Sequence, residues 1–251
     1  MSRSVKSRLD SLLVKRGDAR TIPEAQALIL EGRVRAWTGD KPVPNLKPGL
    51  ALRPDARFEI IPARPYVSRA GGKLAGALDG FGLDPAGKVC LDAGVSTGGF
   101  TDCLLQRGAA KVYAVDVGYG QADPKIRSDP RVALFERTHI LRWEPPWDGS
   151  AGGAPTLAVI DLSFISLKTV LERIRAIIAP RSDILALVKP QFEVEPGLLR
   201  KGVVMDESAR LLAIEDVMAF SRETGLAISG RMPSPIEGAK GNREEWLRLV
   251  T

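Results

Sequence analysis

Residues 88–100, KVCLDAGVSTGGF, decide the fold. Val89, Cys90 and Leu91 run without polar alternation, the pattern of a strand buried on both faces. A carboxylate, Asp92, stands where that run stops. Gly94, Ser96, Thr97, Gly98 and Gly99 then turn the chain into FTDCLLQRG, whose apolar residues recur at helical spacing. Glycines at a strand-to-helix junction allow a sharp turn and let a ligand approach the backbone closely. The junction lacks GxxxxGK[ST] and fits G-x-G-x-x-G poorly, so neither a phosphate loop nor a nicotinamide dinucleotide site follows from it.

Outward from this junction, strand and helix patterns alternate. A helix is predicted over 69–80. KVYAVDVG (111–118), VALFER (132–137), TLAVIDL (156–162) and DILALVKP (183–190) read as strands. LKTVLERIRAIIAP (167–180) and ESARLLAIEDVMAFSRETG (207–225) read as helices, and LAISGRMPSP with EEWLRLV supplies two closing strands. This order marks an α/β, doubly wound (Rossmann-like) parallel sheet. Two strands after the last helix imply a seventh, antiparallel strand.

Composition and charge divide the chain. It has 251 residues, 44% hydrophobic and 26% charged, which excludes wholesale disorder, collagen-like repeats and a polytopic membrane protein. Both cysteines, Cys90 and Cys103, lie in apolar patterns and read as core thiols. With His139 as the single histidine, no zinc cluster or Ser-His-Asp triad can be built, and no metal is expected. The N-terminus is no secretory signal, so the cytoplasm is the expected location. Residues 1–73 hold fifteen Lys or Arg against seven Asp or Glu, whereas the remainder holds twenty-one against twenty-three. A basic module calls for a polyanionic partner. Composition changes near residue 62, giving a small α+β module over 1–62, a linker over 63–68 and the α/β module over 69–251. In the first, Leu9, Leu12, Leu13 and Val14 form a helical stripe ending at Gly17. Thr21 and Glu24 have capping-box spacing, and RVRAW reads as a strand before a turn at Thr38-Gly39-Asp40.

The string RLDSLLVKRGDARTIPEAQALILEGRVRA (8–36) resembles the S4 RNA-binding domain. The resemblance implies that Arg8, Lys15, Arg16, Arg20, Arg33 and Arg35 face structured RNA, where phosphate contacts give affinity and position. The glycine turn resembles the cofactor loop of class I methyltransferases. That implies S-adenosyl-L-methionine held by Asp92, Gly94, Ser96, Thr97, Gly98, Gly99 and Phe100, with Asp92 meeting the methionine amine and Asp116 accepting from the ribose diol.

Asp161 ends TLAVI and Lys189 ends DILALV, at strand ends that line the crevice of an open α/β sheet. A lysine there is costly unless paired or used. With Lys73 in SRAGGKL and Glu244 in KGNREEW, these residues resemble the Lys-Asp-Lys-Glu tetrad of FtsJ-like ribose 2′-O-methyltransferases. SRAGGKL, LDAGVSTGGFTDCLL, VDVGYGQ, DLSFISL, LVKPQFE and GN-x-E, together with the S4-like segment, resemble the TlyA family of hemolysin-like proteins along essentially the whole chain. Two departures stand out. ERTHI has His139 where the family commonly has Asn, and Glu244 is followed by Glu245. Strand alternation puts only one glutamate on the active face, and GN-x-E favours Glu244.

The resemblance implies methylation of ribosomal RNA, free or within a subunit, with Lys189 as general base. Asp161 and Glu244 would orient the lysines while Lys73 grips ribose or phosphate. A ribose hydroxyl is a poor nucleophile, and a desolvated lysine near a second lysine suits its deprotonation. Amine methylation usually follows an (N/D)-P-P-(Y/F) loop, but this position reads Asp161-Leu-Ser-Phe, and pyrimidine C5 transfer needs an exposed cysteine. A non-catalytic RNA-binding assembly factor and a membrane-lytic protein are the alternatives. No strongly amphipathic or spanning segment supports the latter, and no membrane partner is expected.

Overall fold

The computed structural model describes residues 6–62, 65–147 and 153–251, and the chain divides into two compact units, Met1–Arg64 and Pro65–Thr251. In the first unit, α1 (Leu9–Arg16) ends at Gly17, whose φ of 82° suits glycine. The second helix, α2 (Ile22–Leu30), is capped by Thr21, whose side chain accepts the Glu24 N–H at 3.3 Å. The Glu24 carboxylate reaches back to the N–H of Arg20 at 2.9 Å, one residue earlier than a capping box requires. Three antiparallel strands follow: β1 (Val34–Thr38), with β2 (Lys41–Pro42) and β3 (Arg57–Ile60) on either side of it. Val34 and Ala36 point into a core with Leu9, Leu13, Ile29 and Phe58, while Arg35 faces solvent.

The second unit opens with α3 (Arg69–Phe81), then β4 (Val89–Ala93), α4 (Gly99–Gln106) and β5 (Lys111–Val115). It continues through α5 (Pro124–Ser128), β6 (Val132–Phe135), β7 (Leu157–Ile160), α6 (Leu167–Ile177) and β8 (Asp183–Val188). The last elements are α7 (Glu207–Glu223), β9 (Ala227–Pro233) and β10 (Glu245–Val250). The seven strands lie in the order β9-β10-β8-β7-β4-β5-β6. Among them β10 alone is antiparallel to its neighbours, β8 and β9. The predicted doubly wound sheet with a closing hairpin is therefore what the chain forms.

Successive residues of the central strands feed two cores. From β4, Leu91 and Ala93 join Val170, Ile174 and Val217 on one face, while Cys90 joins Leu74, Cys103 and Leu104 on the other. Burial on both faces is why these strands read as unbroken apolar runs. Cys90 and Cys103 are free thiols in that second core, and desolvation pushes them up to about 12 and about 11.

The expected linker over 63–68 is shorter in the structure. Val67 donates its N–H to the Asp102 carboxylate at 2.9 Å, and Gln106 donates to the Pro65 carbonyl at 2.8 Å, fixing 65–68 to α4. Ala63 and Arg64 lie outside the described residues, as do 1–5 of the first module. From β4 the chain winds to β5 and β6 on one side and then crosses to β7 and β8 on the other. The crevice of such a sheet opens at that reversal, beyond the carboxyl ends of β4 and β7.

Candidate active site

The reversal point is built on Gly94, whose φ is 99° and where an added Cβ would come 2.5 Å from the Asp161 carbonyl oxygen. No other residue fits there without moving the end of β7. Ser96 also has positive φ, 48°, and its N–H donates to one oxygen of Asp116 at 2.7 Å. The Gly118 N–H donates to the other oxygen at 2.6 Å, so two backbone groups aim this carboxylate. Around it opens a cavity of about 480 Å³, whose walls include Gly94, Ser96, Asp116, His139, Asp161 and Phe164. A second space, of about 170 Å³, lies on the other side of the same turn, bounded by Ser68, Ala70, Thr97, Phe100, Ser163 and Lys189. Gly94, Ser96, Asp161 and Ser163 line both.

Three residues expected at the cofactor, Asp92, Gly98 and Gly99, line neither cavity. Asp92 is fully buried; Thr101 donates to one of its oxygens at 2.6 Å, and the other oxygen has no partner among the described residues. Desolvation, with the nearby charges of Asp161 and Asp116, pushes its carboxyl up to about 7. A Cβ on Gly98 would meet Ile126 at 2.8 Å, and one on Gly99 would run into Ser68 Oγ and come 2.9 Å from the Gly71 nitrogen. Both glycines let helices pack closely against the turn, a closeness that depends on partners distant in sequence.

The four charged residues form two ion pairs at the crevice. Lys189 Nζ stands 2.6 Å from Asp161 and donates to Ser163 Oγ at 3.1 Å. Lys73 donates to Glu244 at 2.5 Å, and both side chains are nearly buried. Strand register places Lys189 and Glu244 each one residue beyond the paired ends of β8 and β10. Val188 is paired with Glu245, so the next position sets Lys189 opposite Glu244. The adjacent glutamates separate as alternation requires: Glu245 points away and accepts from Arg210 at 3.1 Å and Arg231 at 3.3 Å. Glu244 itself lies one residue before the strand rather than at its first position.

Sequence reasoning missed Ser163, which steadies Lys189, and Phe164, which is 91% exposed with φ at 65° and its ring centroid 5.1 Å from that of Phe192. Their only signal was position, directly after a strand-end aspartate. His139, the departure from the family pattern, lies in the wall of the larger cavity, with Nδ1 accepting the Leu141 N–H at 3.3 Å.

The six basic residues of the first unit divide. Arg8 forms a two-pronged pair with Asp10, at 3.0 and 2.6 Å, and holds the Asp10 carboxyl well below the usual range. Arg16 pairs with Asp18 at 3.2 Å and stacks over Phe58, while Arg33 donates to the Ile61 carbonyl at 3.1 Å. Arg20 is 91% exposed beside Glu24, and exposed Lys15 and Arg35 enter no ion pair among the described residues.

A seven-stranded sheet with this order and a glycine turn at its switch point is the fold of the class I methyltransferases. The profile of the FtsJ-like methyltransferases matches residues 66–250. The Mycobacterium tuberculosis protein named 16S/23S rRNA (cytidine-2′-O)-methyltransferase TlyA is 43% identical, over 98% of this chain and 91% of that one. The chain belongs to the FtsJ-like methyltransferase family, in its TlyA group. A Streptococcus thermophilus protein bearing the name hemolysin is 36% identical, and its structure matches 99% of this chain and 90% of its own with a TM-score of 0.73. An S-adenosylmethionine-dependent methyltransferase of Mesorhizobium loti shares the fold, with a TM-score of 0.54 at 12% identity over 73% of this chain and 100% of that one. Among the described residues no helix is long and apolar enough to cross a membrane, and no cluster of His, Cys, Asp or Glu is placed to hold a metal ion.

Proposed function

We propose that this protein transfers a methyl group from S-adenosyl-L-methionine to a ribose 2′-hydroxyl of ribosomal RNA, with Lys73, Asp161, Lys189 and Glu244 as its catalytic group. The observation that carries the reading is the two lysine–carboxylate pairs, Asp161 with Lys189 at the carboxyl ends of β7 and β8 and Lys73 of α3 with Glu244 just before β10, with Asp161 also in the wall of a cavity of about 480 Å³. That volume lies within the range of cofactor sites. The fit to the cofactor rests on polar groups with bonding capacity to spare. Asp116 keeps lone pairs for a ribose diol beyond its two backbone donors, and Ser68 Oγ, buried at the smaller cavity, has no partner among the described residues. Gly94, Ser96 and Thr97 would pass backbone along the ligand. The cofactor, when bound, supplies an electrophilic methyl on a sulfonium sulfur.

The remaining work belongs to the chain. Lys189 acts as the base in its neutral amine form: Nζ accepts the 2′-hydroxyl proton, Ser163 fixes its direction, and Asp161 stabilises the ammonium that forms. Lys73, held by Glu244, grips the ribose or an adjoining phosphate. Phe164 and Phe192 offer an aromatic platform at the mouth for a base turned out of its stack. The first unit, read as an S4-like domain, supplies cationic contacts to folded RNA. The M. tuberculosis relative's name points to cytidine in 16S and 23S RNA as the site class, and a ribosomal substrate supports a cytoplasmic location. Mapping 2′-O-methyl groups on ribosomal RNA from cells with and without this protein tests the reading. A cytidine methylated only in its presence is expected, and identical maps would overturn it.

A further inference from the structure

Two short turns stand together beyond the end of β8. One closes the small hairpin in which Leu199–Arg200 pairs with Val203–Val204, and its tip is Lys201-Gly202, with φ of 53° and 83°. The other runs from Ala239 to Asn242, closed by the Asn242 N–H on the Ala239 carbonyl at 3.2 Å, and its tip is Lys240-Gly241, with φ of 59° and 82°. Glycine suits the second position of such turns, but lysine in the left-handed region is costly. Asn, Asp or Gly would be the unstrained choice at the first position, yet both turns carry Lys. Strain of this kind persists where surrounding structure enforces it.

Asn242 does the enforcing. It is 4% exposed, and its Nδ2 donates to the Gly202 carbonyl at 2.9 Å and the Ala239 carbonyl at 3.0 Å, while its Oδ1 accepts the Val204 N–H at 3.3 Å. Lys240 Nζ adds a bond to the Lys201 carbonyl at 3.1 Å, drawing one ammonium over the other turn. Arg200, Lys201 and Lys240 are exposed and enter no ion pair among the described residues, whereas the neighbouring Arg210 and Arg243 are both taken by Glu207. One carboxylate, Glu237, stands beside Gly241, so the patch keeps a positive balance. Three cations against one carboxylate suit a polyanion. Their place is informative, because Asn242 lies two residues before Glu244, which holds Lys73 at the reactive crevice.

We propose that the paired Lys-Gly turns are a phosphate clamp on the catalytic unit. They hold the RNA backbone next to the target ribose, on the β10 side of the crevice and across from the cofactor cavity. This rests on the reading of the protein as an RNA methyltransferase and adds to it a second RNA contact, separate from the first unit. The test uses the full chain carrying Lys201→Gln and Lys240→Gln together, with the matching Lys→Arg pair as the charge-preserving control. Binding to in vitro transcribed 16S and 23S RNA is titrated against salt, and S-adenosylmethionine affinity is measured by calorimetry.

The Gln pair should weaken RNA binding and flatten the plot of log K against log salt by about 0.7 to 0.9 per lost charge, and raise KM for RNA. The Arg pair should restore all three, with cofactor affinity the same throughout. RNA affinity and salt slope equal to wild type in the Gln pair would overturn the clamp. So would loss of binding to phosphatidylglycerol vesicles in place of RNA. Wild-type protein that neither binds nor methylates these RNAs would instead sink the underlying functional reading.

Discussion

Asp92 shows how one buried atom makes stability depend on pH. Its carboxyl is pushed up to about 7 in the folded chain, against about 3.9 for an unfolded aspartate. Between those values the folded chain binds more protons than the unfolded one, so stability is highest below about pH 4 for this group and declines as pH rises toward 7. The full difference is on the order of 4 kcal/mol. Asp92→Asn removes that titration. Its melting temperature relative to wild type should therefore climb between pH 4.5 and pH 8, and a difference constant across that range would refute the account. At the same scale, Lys189→Ala should abolish methyl transfer while leaving RNA affinity within a few-fold. RNA binding lost in proportion to activity would remove Lys189 from the base role.

At the scale of elements, the first strand-to-helix junction shows what the sequence could and could not carry. The strands were legible because burial on both faces leaves an unbroken apolar run, and Asp116 was legible because it ends such a run. The work of Gly98 and Gly99 was not, since it depends on Ile126 and Ser68, which local spacing cannot bring into view. Alternation along β10 did separate Glu244 from Glu245, and the two should fail differently. Glu244→Gln frees Lys73 and should abolish methyl transfer. Glu245→Gln removes a charged partner from Arg210, which keeps Glu207, and from Arg231, and should cost about 2 kcal/mol of stability with transfer retained. Thermal melts beside single-turnover assays distinguish them. Loss of transfer in Glu245→Gln without a lower melting temperature would place Glu245 in the site instead.

For the whole molecule, charge and core are divided between two units, each with its own apolar interior. The arginines that resemblance assigns to RNA are not equivalent, because Arg8, Arg16 and Arg33 are already engaged within the first unit. Removing one of these should cost stability as well as RNA affinity. Lys15 and Arg35 enter no ion pair among the described residues, and Arg20 has only an exposed pair with Glu24, so each change to alanine should lower the salt slope by about 0.7 to 0.9 with little change in melting temperature. Deleting residues 1–62 should leave a folded α/β unit, since its two cores draw on no residue of the first. That unit should bind S-adenosylmethionine but methylate ribosomal RNA poorly, retaining the weaker RNA affinity of its own cations. Circular dichroism, calorimetry with the cofactor and a salt titration of RNA binding report on fold, site and substrate separately. Full activity of the folded, truncated unit on ribosomal RNA would show that the basic module does not deliver the substrate.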